Sequence, residues 1–74
     1  MIELWGHPAC ESCEDAKKFL GQTPMEWMYV QVGDDFQGVI PRIILEDGSH
    51  IIGFPAIKAY VQQWMKEMGF PEGI

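Results

Sequence analysis

The stretch His7–Cys13, with the sequence HPACESC, determines how the rest of the chain is interpreted. It contains both cysteines of the 74-residue chain, at the point where a short apolar run gives way to a helical pattern. A Cys-x-x-Cys pair has two common uses, reversible thiol–disulfide exchange and one half of a metal site. A disulfide within the pair closes a loop of only about four residues and stabilises a fold little. We therefore expect the pair to have a chemical function and not to be a structural disulfide.

The residues on either side of this stretch predict a strand, a helix and a second strand. Residues 2–6 show the alternation of a strand, and the following pattern predicts a helix from about Cys10 to Leu20, closed by Gly21. Residues 25–32 have the pattern of another strand. Because strands that are joined through a helix run parallel, the first two strands are expected to be parallel.

The second half of the chain predicts two strands and a helix. Residues 42–46 and 49–53 indicate strands, and the Asp-Gly pair at 47–48 is the strongest hairpin signal in the chain. Residues 55–68 carry apolar side chains at helical spacing, with stop signals in the glycine and proline of Gly69–Pro71. The element order is therefore β-α-β-β-β-α.

The length predicts one domain over residues 1–74, and the element order predicts an α/β fold with helices packed on a four-stranded sheet. The formal charge of −6 disfavours nucleic acid and anionic membrane surfaces as partners, because both attract basic patches. The chain begins without a basic leader, and no apolar run approaches the roughly 20 residues of a membrane helix. We expect a cytoplasmic protein, and in a reducing cytoplasm a redox or metal role for the cysteines gains weight over a structural disulfide.

Three motifs resemble the glutaredoxin family of thioredoxin-like proteins. They are Cys10-x-x-Cys13 after the first strand, Ile40-Pro41-Arg42 at the start of the third strand, and Gly53-Phe54 before the last helix. The resemblance covers nearly the whole chain and is to the compact bacteriophage and bacterial type. It implies a thioredoxin-like fold with a mixed sheet, in which the last two strands are antiparallel, and a cis peptide bond before Pro41.

Cys10 and Cys13 are the predicted catalytic residues. Cys10 is expected at a helix N-terminus, where free N–H groups and the helix dipole stabilise a thiolate, so it is the predicted nucleophile. Cys13, about one turn deeper, is the predicted resolving thiol. Glu11 and Glu14 oppose ionisation of Cys10, so its pKa is expected to be lowered less than in relatives with uncharged residues at these positions.

The resemblance implies a small monomeric oxidoreductase that reduces protein or glutathione mixed disulfides without a bound cofactor. Glutathione is the expected reducing co-substrate. The motif Gly53-Phe54, with Pro8-Ala9-Cys10, is also similar to the glutaredoxin-like hydrogen donors of ribonucleotide reductase, which makes thioredoxin reductase an alternative electron source and ribonucleotide reductase a candidate substrate. The chain departs from most relatives in joining the second and third strands by residues 33–40 alone, so the usual middle helix is expected to be shortened or lost.

Six further residues are predicted to bind substrate: His7, Ile40, Pro41, Arg42, Gly53 and Phe54. His7 stands where many relatives have lysine, and it is interpreted equally well as an exposed loop residue. Arg42 is open to a second interpretation as a solvated strand residue, and Gly53-Phe54 as a tight turn before a helix. Relatives that use glutathione often have an acid near this turn for the γ-glutamyl amine, and this chain has none, which leaves the reductant open.

Two alternatives to catalysis remain at the level of sequence. In the first, the chain is a zinc-binding module whose ligands are His7, Cys10, Cys13 and His50. His50 falls in the predicted hairpin, where a solvated side chain is the simpler interpretation. In the second, the same fold docks on a redox partner without turnover. The aspartates at 34–35 are interpreted as a solvated loop, since two adjacent acids make a poor metal site.

Overall fold

The computed structural model describes residues 1–70 as a four-stranded mixed sheet with two helices. The elements are β1 (Ile2–Gly6), α1 (Glu11–Gly21), β2 (Trp27–Gln31), β3 (Arg42–Ile44), β4 (His50–Ile52) and α2 (Phe54–Met68). The strand order is β2-β1-β3-β4, with β1 parallel to β2 and the other two pairs antiparallel. The predicted α/β class, element order and strand directions are confirmed.

Helix α1 begins directly after Cys10, whose extended backbone places it as the N-cap residue. The helix has acidic side chains in its first turn and Lys18 in its last turn, which suits the helix dipole. Its buried residues form the face that packs on the core: Cys13, Ala16, Phe19 and Leu20. Gly21 is the last helical residue, one position later than the predicted end.

Helix α2 begins at Phe54, after Gly53 has turned the chain with a φ of 91° that favours glycine. It buries three of the six residues of the predicted apolar stripe: Ile57, Val61 and Met65. Gly69, with a φ of 82°, ends the helix as predicted. The predicted contribution of Pro71 to this stop lies outside the described residues. In residues 1–70, neither helix has both the length and the apolar character needed to cross a membrane.

Both helices pack on the same face of the sheet. Leu4 and Ile43 are fully buried against them, and Trp27 and Tyr29 of β2 pack on the same core. Ile2 and Ile51 pack on this core as well, and strand alternation directs the residues between these positions to the other side. This outer face carries Glu3, Trp5, Met28, Val30, Arg42, Ile44, His50 and Ile52. Within the described residues no helix covers the outer face.

The connection between β2 and β3 contains no helix, which confirms the predicted loss of the middle helix. It contains a single turn, closed by a hydrogen bond from Phe36 N–H to the Gly33 carbonyl (3.1 Å). The Phe36 ring then lies edge-on against Trp5 of the outer face, with ring centroids 6.0 Å apart. The loop therefore covers one end of the outer face with a single aromatic side chain.

The strands β3 and β4 are shorter than predicted because the hairpin turn is longer. The Leu45 N–H donates to the Ser49 carbonyl at 2.8 Å, and the Gly48 N–H donates to the Leu45 carbonyl at 2.9 Å. The turn therefore occupies residues 45–49, centred on the predicted Asp-Gly pair. Strand β2 begins two residues later and ends one residue earlier than predicted, and Met25 is buried in the connection before it.

Candidate active site

The Cys10 sulfur caps helix α1. It accepts a hydrogen bond from the Cys13 N–H at 3.2 Å, the position usually filled by a serine or aspartate oxygen. The Ser12 hydroxyl lies 3.4 Å from the same sulfur. The Cys10 side chain is half-buried, and its backbone N–H donates to the His7 carbonyl at 3.0 Å. The predicted placement of Cys10 at the helix N-terminus is confirmed.

The surroundings of Cys10 stabilise its thiolate. Burial by itself raises the pKa of this thiol, but hydrogen bonds from Cys13 and Ser12 outweigh that effect. The net pKa of Cys10 is below the ordinary value for cysteine. A thiolate is the reactive form of cysteine, so this sulfur is prepared for nucleophilic attack.

Cys13 differs from Cys10 in its burial and in the direction of its pKa shift. Its side chain is fully buried, and burial raises the pKa of the thiol to about 11. The hydrogen bond with the Cys10 sulfur also raises this pKa, as do the negative charges of Cys10 and Glu14, while a hydrogen bond from the His7 backbone lowers it. A protonated Cys13 therefore lies next to an ionisable Cys10, and the Cys13 N–H donates to the Cys10 sulfur.

Cys13 and Tyr29 both lie close to Gly6. A Cβ atom at Gly6 would be 3.1 Å from the Cys13 Cβ and 3.2 Å from the Tyr29 Cε1, so only glycine leaves room for this thiol at the end of β1. Burial, followed by the charges of the two cysteines and Glu14, raises the pKa of Tyr29. The sequence indicated Gly6 only as the end of a strand and gave no signal for Tyr29, because both contacts depend on how α1 packs on the sheet.

The peptide bond between Ile40 and Pro41 is cis, as the family resemblance implied. Pro41 is buried, and its carbonyl accepts a hydrogen bond from the Gly53 N–H at 2.8 Å. Ile40 lines a surface cavity together with Cys10. The segment at the start of β3 is therefore anchored to the start of α2 and reaches the same cavity as the predicted nucleophile.

This cavity has a volume of about 290 Å³, and we call it the Cys10 cavity. It is bounded by the segment between β1 and α1, residues 7–10, and by the β2–β3 loop. His7 connects the two loops. Its Nε2 lies 2.7 Å from the Asp34 carboxylate, and its Nδ1 accepts a hydrogen bond from the Ala9 N–H at 3.1 Å. Since Nδ1 accepts a hydrogen bond, the proton of the ring is on Nε2, and Nε2–H donates to the Asp34 carboxylate. Both ring nitrogens of His7 are therefore engaged within the protein.

Asp34 and Phe36 are cavity residues that the sequence did not reveal. The sequence predicts that Asp34 is a solvated loop residue. Its side chain is 95% exposed, but its carboxylate also accepts a hydrogen bond from His7. The two residues are 27 positions apart, so no local pattern connects them. Only the path of the shortened loop brings them together.

Arg42 lies on the outer face and does not line the Cys10 cavity. Its Nε–H donates to the Val39 carbonyl at 2.9 Å, and its Nη1 lies 3.1 Å from His50 Nδ1. Its guanidinium also lies over the Phe36 ring, 5.5 Å from the centroid. The side chain is therefore occupied within the protein, which fits neither free solvation nor a role inside this cavity.

Gly53 and Phe54 are also outside the cavity lining. Gly53 is the N-cap of α2 and reaches the active-site region only through its hydrogen bond to Pro41. Phe54 packs edge-on against Phe19 of α1, with ring centroids 5.9 Å apart. Of the six predicted substrate-binding residues, the structure thus brings His7 and Ile40 to the cavity, with Pro41 next to Ile40.

The ligands of the zinc alternative are not grouped. Within residues 1–70, no three His, Cys, Asp or Glu side chains are arranged to hold a metal ion. His50 contacts Arg42 on the outer face, whereas His7 contacts Asp34 at the Cys10 cavity.

Comparison with known proteins adds no assignment: no family model matches the chain, and neither a curated protein nor a solved structure is similar to it at a significant level.

Proposed function

We propose that the chain is a glutaredoxin-like thiol–disulfide oxidoreductase with a thioredoxin-like fold, acting as a monomer in the cytoplasm. The observation that carries the proposal is the contrast between the two cysteines. Cys10 has a lowered pKa at the N-terminus of α1, and the buried Cys13, with a pKa of about 11, is hydrogen-bonded to it. A reducing compartment keeps both residues as thiols, the state from which the chemistry starts.

The first step is attack by Cys10 on a substrate disulfide. The thiolate forms a bond to one substrate sulfur, the substrate disulfide breaks, and the second substrate sulfur leaves as a thiolate that takes a proton from water. The product is a mixed disulfide between Cys10 and the substrate. The half-buried position of Cys10 at the cavity leaves its sulfur open to such a partner.

The second step is attack by Cys13 on the Cys10 sulfur. Before the first step, the hydrogen bond to Cys10 and the charge on Cys10 both help to raise the pKa of Cys13. Both contributions disappear once Cys10 is bound in a mixed disulfide, so Cys13 loses its proton more readily at the stage where it must attack. The attack forms the Cys10–Cys13 disulfide and releases the substrate as a thiol, which completes a two-electron reduction.

Recharging the cysteine pair requires an external reductant. We propose glutathione as the reducing co-substrate, with thioredoxin reductase as the alternative, and protein disulfides such as that of ribonucleotide reductase as substrates. The support for these partners is the motif resemblance, in particular Cys10-x-x-Cys13 and the cis-Pro41 segment beside the Cys10 cavity.

The test is turnover with two cysteine variants. Reduction of insulin disulfides and of a glutathione mixed disulfide is measured with NADPH, coupled either to glutathione and its reductase or to thioredoxin reductase. Cys10→Ser is expected to abolish both reactions, because the nucleophile is lost. Cys13→Ser is expected to impair protein-disulfide reduction more than reduction of the glutathione adduct, since glutathione can resolve the mixed disulfide in its place.

Metal analysis of the purified protein separates this proposal from the zinc alternative. Stoichiometric zinc together with no disulfide reductase activity would overturn the proposal. Full binding of a redox partner by an inactive Cys10→Ser variant, with no turnover by the wild type, would instead support a docking module.

A further inference from the structure

Two cavities lie on either side of the predicted nucleophile. One is the Cys10 cavity, and the other, of about 430 Å³, lies along the first turns of α1. Ala9, the chain neighbour of Cys10, lines both of them. A disulfide that reaches the Cys10 sulfur must therefore place its flanking groups in or over these two cavities.

Carboxylates lie at the rims of both cavities. Glu11, Glu14 and Asp15 line the α1 cavity, Asp34 lines the Cys10 cavity, and the Asp35 carboxylate lies against Gly33 of the same cavity. The nearby ammonium groups are Lys18, which lines the α1 cavity, and Lys17, which is 4.0 Å from Glu14. The Arg42 guanidinium also lies against Gly38 and over Phe36, two residues of the Cys10 cavity. Five carboxylates against two lysines and Arg42 leave two uncompensated negative charges around Cys10.

The cations near Cys10 balance only part of these carboxylate charges. Within the described chain, the lining of the Cys10 cavity includes neither lysine nor arginine. His7 uses both ring nitrogens internally, and Arg42 is held on the outer face by Val39 and His50. A substrate disulfide that is flanked by anionic groups therefore meets net repulsion here.

We infer that this site selects protein or peptide disulfides that are flanked by basic residues, and that it disfavours anionic disulfides. The inference rests on the proposed thiol–disulfide chemistry and adds the charge class of the substrate. Charged clefts change association rates by factors of about ten to a thousand, and salt weakens the effect. Because the carboxylates are on the surface, we expect the effect to be at the lower end of that range.

The test uses three peptide probes of equal length that differ only in charge. Each contains one cysteine joined by a disulfide to 5-thio-2-nitrobenzoate, with two lysines, two glutamines or two glutamates beside the cysteine. In a reduced Cys13→Ser chain, Cys10 attacks the peptide sulfur, forms one mixed disulfide and releases the coloured thiolate. The second-order rate constant is read directly from the absorbance, without a recharging system.

At about 20 mM salt, the lysine probe is expected to react about tenfold faster than the glutamate probe, and the ratio falls towards unity at about 0.5 M salt. In the Cys13→Ser background, Glu11→Gln with Glu14→Gln is expected to reduce the ratio at least about threefold. The matched control, Glu26→Gln with Glu67→Gln, changes the net charge equally and is expected to leave the ratio unchanged. Glu26 directly precedes the first residue of β2, and Glu67 is in the last turn of α2.

The possible failures are distinguishable. Equal rates for the three probes, or faster reaction of the glutamate probe, overturn the charge selection while leaving the thiol chemistry intact. An equal loss of selectivity in both double variants also overturns it, because the effect would then belong to the whole chain and not to this site. Failure of all three probes to release the coloured thiolate overturns the proposed function itself.

Discussion

The close contact between Gly6 and Cys13 predicts that Gly6→Ala destabilises the domain and displaces the Cys13 thiol. The added Cβ would lie 3.1 Å from Cys13 Cβ, 3.2 Å from Tyr29 Cε1 and 3.3 Å from Cys13 Sγ. Favourable carbon contacts are about 3.5–4.0 Å long, so these neighbours must move by several tenths of an ångström. Cys13 cannot yield alone, because it is fully buried within α1.

Overpacking of this kind costs about 1–3 kcal/mol, and we expect about 2 kcal/mol for Gly6→Ala because three contacts are affected. In a domain of this size, each kcal/mol lowers Tm by roughly 4–8 °C. Gly21→Ala is the matched control: nothing lies within 4 Å of its added Cβ, and helical alanine is about 0.5–1 kcal/mol more stable than glycine. Urea unfolding of the reduced proteins, followed by tryptophan fluorescence, measures both.

The thiol chemistry should change with the stability. Displacement of Cys13 lengthens its hydrogen bonds to the Cys10 sulfur, so Gly6→Ala is expected to raise the pKa of Cys10 and slow its alkylation at neutral pH. If Gly6→Ala matched the stability and thiol reactivity of Gly21→Ala, the account of how Cys13 is packed against β1 would be wrong.

Three further predictions concern the core, the hairpin and the nucleophile. Ile43→Ala should lower the free energy of unfolding by about 2–5 kcal/mol, because Ile43 is fully buried. Ile52 is 46% exposed on the outer face, so Ile52→Ala should lower it by less than about 1 kcal/mol. Equal losses in urea unfolding would contradict the assigned faces. The hydrogen bond from the Ser49 N–H lowers the pKa of Asp47, so this carboxylate stabilises the fold above the ordinary aspartate pKa and loses that contribution as the pH falls through its pKa in the folded state. Asp47→Asn should therefore make the urea midpoint less dependent on pH between about 6 and 2. An unchanged pH dependence would refute this. Ser12→Ala removes a hydrogen bond to the Cys10 sulfur and should raise the pKa of Cys10. Alkylation of Cys10 should then be slower at about pH 6 but not at about pH 9. Slowing to the same degree at both pH values would indicate a steric effect.

Local sequence patterns were sufficient for the elements of the fold. The helix α1 begins where the cysteine motif and the acidic first turn predicted, and Gly69 ends α2. The hairpin forms at the Asp-Gly pair of residues 47–48. These features depend on caps, turns and periodicity, which act over a few residues. Strand lengths were less predictable, because they depend on where the turn hydrogen bonds close.

The candidate site was predictable only in part. The position of Cys10 followed from helix physics, and the cis bond at Pro41 was implied by family resemblance, since most X–Pro bonds are trans. The contact of His7 with Asp34, and the capture of Arg42 on the outer face, depend on the three-dimensional path of the β2–β3 loop. No local rule specifies such contacts, because they join residues that are distant in sequence or on neighbouring strands.

The most direct test of the central claim compares the reactivity of the two thiols. With a pKa of about 11, Cys13 is ionised to only about one part in ten thousand at neutral pH, and it is fully buried. Brief alkylation of the reduced protein with iodoacetamide, followed by peptide mapping, should therefore modify Cys10 at least about a hundredfold faster than Cys13. Similar rates for the two cysteines, or faster modification of Cys13, would contradict the assignment of Cys10 as nucleophile and Cys13 as resolving thiol.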